Sequence, residues 1–319
     1  MATSGNYTLT YNTNQIIEEA FDLIQIGQDG DSVSGDMYNR GRNSLNILLK
    51  KWEQQGIHLW TMKTGFLFLN KGQNQYNFGT ANLANVYSET TTDATESIGQ
   101  TIIAVTATSI TGADGTIRTM TANDIIGIVT DDNDMHWSTV DSIIAGVSVT
   151  LDDALTVAAG SGSEVFWYTP SSFAPVVRML SIRRKDTTDY EIPIILSSKE
   201  DYETLPNKAQ EGTVIQCYYE RSEQNGVLYT WNAPSSSKTV LSFSYERKIE
   251  IQSTTTNTFD LPEYWYDALC FNLANILKFK YGCSPLLWAE IKQEATDSLN
   301  GALAFDVSLA PIQVNIVRH

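Results

Sequence analysis

The stretch from Phe259 to Gly282, FDLPEYWYDALCFNLANILKFKYG, constrains the fold more than any other. Leu261, Trp265, Leu269, Leu273 and Ile276 recur at helical spacing, and Tyr266, Cys270, Leu277 and Tyr281 widen the apolar stripe beyond what one packing partner covers. Asp260 is placed to cap the first amides while Glu263 reaches back three residues later; Pro262 fits a first turn that needs no donor, and Gly282 supplies the stop. The pattern predicts one central helix, begun at Asp260 and contacted from several sides.

The rest of the chain must supply those sides. Asn12 or Thr13 caps a first helix burying Ile16, Ala20, Phe21, Leu23 and Ile24, and Gly27 ends it. After the polar linker 28–35, a second helix carries Met37, Leu45, Leu48, Leu49 and Trp52 and stops at Gly56, so the two are expected to form a helical hairpin. From Trp60 the period changes to two. Phe66 and Phe68 share one face, Lys71-Gly72 turns the chain, and Tyr76 and Phe78 return, the signature of a β-hairpin.

From Glu89 the composition shifts to Thr, Ser, Gly, Ala, Val, Ile and Asp. Short β-branched runs at 101–106, 124–130, 142–150 and 165–168, separated by turn residues, predict a small barrel or sandwich inserted at 89–164. This segment holds twelve acids and one base, Arg118, giving −11 of the formal net charge of −16. So acidic a chain repels phosphate and is no general DNA binder, although DNA could slide along it without sticking. The 131–134 run, DDND, lacks the ligand register of a calcium loop and reads as a solvated turn. His136-Trp137 begins the next strand.

Further strands are expected around 176–184, 192–196, 213–219, 227–231 and 240–245. Ser284 and Pro285 start a last helix with Leu287, Ile291, Ala295 and Leu299; Gly301 weakens its period, and Ala304–His319 loses it. Three cysteines, Cys217, Cys270 and Cys283, have no paired spacing and read as free thiols made in a reducing compartment. The N-terminus shows neither a basic region nor an apolar run, and no stretch is apolar enough for a membrane span. His58, His136 and His319 are isolated from any nucleophile or metal spacing, and no phosphate loop or nucleophile elbow is found. No metal, cofactor or catalytic residue is expected, although two carboxylates brought together by the fold would suffice for a cell-wall glycosidase.

Several motifs fall in a telling order: Leu205-Pro206-Asn207-Lys208, Tyr218-Tyr219-Glu220-Arg221, Leu228-Tyr229-Thr230-Trp231 with Pro234, Tyr245-Glu246-Arg247, and Leu261-Pro262-Glu263-Tyr264-Trp265 leading into Ala268-Leu269 and Leu273-Ala274. Together with the Trp52 to Gly56 turn after two helices, this order resembles the head-to-tail adaptor family of short-tailed bacteriophages, the packaged-DNA-stabilising or tail accessory proteins. The resemblance spans most of the chain outside 89–164 and the last stretch.

Pattern and resemblance together lead to an expected α+β fold. Its helical-bundle core, the N-terminal hairpin plus two C-terminal helices, would carry an antiparallel β region and the inserted all-β domain. The expected division is 1–88 with 165–303 as adaptor core, 89–164 as insertion and 304–319 as an extended arm. The resemblance implies a structural, non-enzymatic virion protein at the head–tail junction, synthesised in the host cytoplasm. It would be a homo-oligomeric ring of twelve copies under the portal, extending the DNA channel, retaining packaged DNA and offering its lower face to the tail nozzle or other tail proteins. DNA would pass without sequence-specific binding, and no membrane is involved. Val307, Leu309, Ile312, Val314, Ile316 and Arg318, apolar and alternating around Pro311, are the expected portal-binding arm. Arg183, Arg184, Lys185, Arg221 and Arg247 are the candidate channel or inter-subunit contacts, with acids such as Glu220 or Glu246 as pairing partners for the last two. The alternative reading is a carbohydrate- or receptor-binding module carried by the insertion.

Overall fold

At the head of the first helix, Asn12 accepts the Gln15 amide at 3.0 Å while the Gln15 side chain accepts the Asn12 amide at 2.9 Å, a reciprocal cap. In the computed structural model, which describes residues 9–26, 33–56, 59–112, 115–171, 173–185, 190–222, 225–254 and 256–306, that cap opens α1 (Thr13–Leu23). It is followed among the described residues by α2 (Gly35–Gln55), α3 (Lys199–Glu203), α4 (Tyr266–Tyr281) and α5 (Pro285–Phe305). The chain divides into two units, residues 1–61 with 248–319, and residues 62–247.

The first unit is helical. Ile16, Ile17, Ala20 and Phe21 of α1 pack with Leu45, Leu48, Leu49 and Trp52 of α2 and with Leu269, Leu273 and Leu277 of α4 in one core. Trp265, fully buried, lies between Trp52 and Trp60, with ring centroids 5.3 and 5.1 Å away. Gly56, at φ 81°, ends α2 in the left-handed conformation that glycine adopts without penalty. Three boundaries differ from expectation. α1 ends at Leu23, short of the expected stop at Gly27, which lies outside the described residues. Glu263–Trp265 is a 3-10 turn and α4 starts only at Tyr266, because Pro262 is extended (ψ 151°) and a proline also pushes its predecessor out of the helical region. At the other end α5 runs through Gly301 to Phe305. Burial of Ala302 and the tilted contact of Phe305 with Tyr264, 4.7 Å between ring centroids, offset the roughly 1 kcal/mol that a helical glycine costs.

The second unit carries the strands. They are β1 (Met62–Phe68), β2 (Gln75–Asn77), β3 (Leu83–Ala84), β4 (Ser88–Thr91), β5 (Ile102–Ala104), β6 (Ser109–Thr111), β7 (Ile117–Thr119), β8 (Ile125–Val129) and β9 (Met135–Ile144). Then follow β10 (Ser148–Leu151), β11 (Glu164–Tyr168), β12 (Val176–Lys185), β13 (Glu191–Leu196), β14 (Glu211–Gly212), β15 (Gln216–Glu220), β16 (Val227–Trp231), β17 (Ala233–Pro234) and β18 (Val240–Arg247). An eight-stranded sheet has the order β2-β16-β15-β13-β12-β18-β1-β3, and a six-stranded sheet the order β4-β11-β8-β9-β10-β5. Each has its own core, one around Leu67, Tyr76, Leu228, Phe243 and Tyr245, the other around Ile103, Ile126, Ile128, Val149 and Trp167.

This corrects the expected fold class. Among the described residues the chain is mostly β, with 33% in strands against 28% in helices, and its large curled sheets are the body of one unit rather than an attachment to a helical bundle. Long helical runs dominate a sequence reading, whereas strands of two to ten residues, dispersed through 62–247, reveal their common sheet only through pairing. The expected hairpin at Lys71-Gly72 is likewise not formed. β1 pairs with β18 and β3, while β2 pairs with β16 at the opposite edge, since the Gly72 amide donates to the Pro234 carbonyl and carries the chain across.

Candidate functional site

The densest basic run lies at the end of β12, where alternation sends successive side chains to opposite faces. The Arg183 guanidinium reaches Glu191 of β13 at 3.2 Å, and Arg184 donates to the Val214 carbonyl at 3.0 Å. The Lys185 ammonium meets Glu89 at 2.8 Å and the Tyr87 hydroxyl at 3.0 Å, lying over the Tyr87 ring. These three cations are thus engaged by neighbouring strands and do not form a free basic stripe. Arg247, at the end of β18, is buried, and Arg221, just beyond β15, is exposed.

Each of the two acids named as partners binds a cation outside the candidate set. Glu246 is gripped by Arg178, through Nη2 at 2.6 Å and Nε at 3.2 Å, which raises the Arg178 pKa. Glu220 accepts from Lys199 at 3.4 Å and from the Tyr229 hydroxyl at 3.0 Å. The arm residues Val307, Leu309, Ile312, Val314, Ile316 and Arg318 lie outside the described residues. The first two positions of the expected arm, Ala304 and Phe305, belong to α5.

Of the histidines, His136 sits in β9 with Nε2 3.3 Å from the Asp153 carbonyl oxygen, and His58 and His319 lie outside the described residues. Among the described residues no group of three His, Cys, Asp or Glu side chains is arranged to hold a metal. The 131–134 run forms a turn in which Asp132 accepts from the Thr130 hydroxyl, a bond that lowers its pKa, and Asp134 accepts from Ser237 at 2.8 Å. Cys217 and Cys270 are buried free thiols. Burial raises the pKa of both, that of Cys270 to about 12, so neither is a ready nucleophile.

What the sequence reading missed is the exposure of β13. Ile192 and Ile195 were expected in a strand, with nothing said of their exposure; Ile195 is 65% exposed, and Ile192 and Leu196 are exposed as well. So are Leu180 of β12, Tyr190 and Ile215. Residues Glu191–Ile194 pair with β12 on one side, and β13 meets β15 only at Ile195 and Leu196, so among the described residues the other edge of Glu191–Ile194 is unpaired. Pro193 was the available signal: a proline inside a strand is tolerated where an edge lacks a partner. The helical unit carries exposed apolar side chains of its own, Ile47 on α2, Phe279 on α4, and Leu286 and Phe305 on α5.

Compared with protein-family models and with curated proteins, the chain matches none.

Proposed function

We propose that the chain is a structural head-to-tail connector of a short-tailed phage virion, forming a ring beneath the portal that extends the DNA channel and receives tail components. The observation that carries this reading is β13, whose Glu191–Ile194 stretch has one edge unpaired among the described residues and whose apolar side chains are exposed on both faces of the sheet, Ile192 and Leu196 on one and Ile195 on the other. Such a stretch is a surface that water penalises and a second chain relieves, by strand addition and apolar burial. The exposed apolar residues of the helical unit supply a chemically distinct second surface. Two different surfaces that recognise each other head to tail generate rings when the rotation closes. The acidic balance suits a channel protein, since DNA moves past a surface of like charge without binding to it. In this reading the chain acts by shape and contact rather than by turnover.

The test is electron microscopy of the purified chain, alone and mixed with portal rings. Closed rings seated on the portal are the expected outcome, and a monodisperse monomer that never joins the portal would overturn the proposal.

A further inference from the structure

One face of the eight-stranded sheet bears a cleft that ring assembly does not explain. Gln75 of β2, Tyr229 of β16 and Tyr218 of β15 stand opposite one another in register across three strands, so their side chains share a face. The Tyr218 and Tyr229 rings are 5.7 Å apart and nearly parallel, at 19°. Tyr202 of α3, buried, packs on both at 5.9 and 5.6 Å. These residues bound a cavity of about 290 Å³.

Its polar lining is balanced. Lys199 and Lys208 face it with Glu203 and Glu220, so the formal charges cancel. Lys208 is held over the Tyr202 ring at 5.3 Å while donating to the Glu203 and Leu205 carbonyls, and Glu220 is oriented by Tyr229 and Lys199. A phosphate or a quaternary ammonium is selected by an excess of one charge, which this lining lacks. A cluster of tyrosine rings beside fixed carboxylate, ammonium and amide groups suits instead a neutral ligand with one apolar face and a rim of hydroxyls. The volume lies near the roughly 300 Å³ at the low end of small-molecule sites, which fits a short ligand rather than a large cofactor.

We propose that this tyrosine cleft binds a short neutral saccharide, its apolar ring face packed against the tyrosines and its hydroxyls bonded to Glu220, Glu203 and Gln75. The site lies outside residues 89–164, and its existence does not depend on ring formation.

Saturation-transfer-difference NMR on the full chain tests it, using methyl glycosides of glucose, galactose and mannose, N-acetylglucosamine, and choline and inorganic phosphate as charged controls. At least one glycoside should receive saturation, and its affinity should fall about tenfold or more in Tyr229→Leu, which keeps apolar bulk but removes the ring and the hydroxyl. Gln75→Ala, at an exposed position, should weaken binding by a smaller factor with the melting curve unchanged, which separates loss of the site from loss of fold. Silence from every glycoside, undiminished binding in both variants, or binding of choline or phosphate in preference to the sugars would each overturn the proposal.

Discussion

Glu246 is a carboxylate buried to 2% exposure, and the guanidinium that grips it, Arg178, is mostly in solvent. The asymmetry decides what each substitution does. Arg178→Met strips a bidentate partner from a buried charge, and a cost of about 1–3 kcal/mol is expected, below the 3–5 kcal/mol of a fully buried pair because water reaches the arginine side. Glu246→Gln leaves an exposed cation that hydrates readily and should cost less. Urea unfolding of both single variants and the double should give a coupling above about 0.5 kcal/mol, and strictly additive effects would show that the contact is not energetic. A second buried charge, Lys278, makes a pH-dependent contribution. Its ammonium donates to the Trp288 carbonyl at 2.9 Å and lies 4.8 Å from that ring, and burial lowers its pKa below 10.5. Between the lowered value and 10.5 the unfolded chain therefore binds more protons than the folded one, so stability rises with pH across that window. Lys278→Met should lack this rise. Unfolding of wild type and variant at about pH 8 and pH 10.5 checks it, and a difference that stays constant between the two would refute the assignment.

At the scale of elements, close packing of α1 on α2 rests on a glycine. A Cβ added at Gly41 would lie 2.8 Å from Ile17 Cγ2, nearer than real carbons approach. Alanine improves helix propensity by roughly 1 kcal/mol, but overpacking a filled contact costs about 1–3 kcal/mol, so Gly41→Ala should be net destabilising, lowering the melting temperature by a few degrees. An unchanged or raised melting temperature would mean that Ile17 yields freely. These helices were readable because local signals that need no knowledge of the rest of the chain mark an end of each: Asn12 at the start of α1 and Gly56 at the stop of α2. Strand existence was readable on the same grounds, as at β8, β11 and β18, where β-branched and aromatic runs lie between turn residues. Strand partnership was not. Phe66 finds Ser242 and Tyr76 finds Leu228, contacts some 150 to 180 positions away that no period of two encodes, and a hairpin was the nearest local guess. The exposure of Ile192 and Ile195 was only half readable: Pro193 hinted at an incompletely paired strand, but an apolar strand looks the same in sequence whether its face is covered by its own chain or by another. The tyrosine cleft assembles from three strands and a five-residue helix, and only pairing brings Gln75 to Tyr229.

Across the whole molecule, the sequence change at Glu89 marks a real change of sheet without marking an independent body. Phe68 of β1 lies beside Tyr168, stacked at 5.6 Å and 7°, and beside Trp137 and Phe166, in a core shared with Ala84 and Val240. Removing the six-stranded sheet therefore uncovers part of the larger one. The apolar residues of β13 are the opposite case, because they are uncovered already, and the free chain carries that cost unless assembly relieves it. Ile195→Lys separates the two roles. At 65% exposure the isoleucine contributes little to the folded chain, so lysine should shift unfolding by no more than about 0.5 kcal/mol. In a ring, the same substitution would bury an ammonium at an apolar junction. Native mass spectrometry should then show wild-type chain in closed oligomers and Ile195→Lys shifted to monomer at the same concentration, with superimposable melting curves. Oligomers that persist unchanged in the variant would remove β13 from the interface and leave the helical residues Phe279, Leu286 and Phe305 as the surface to test.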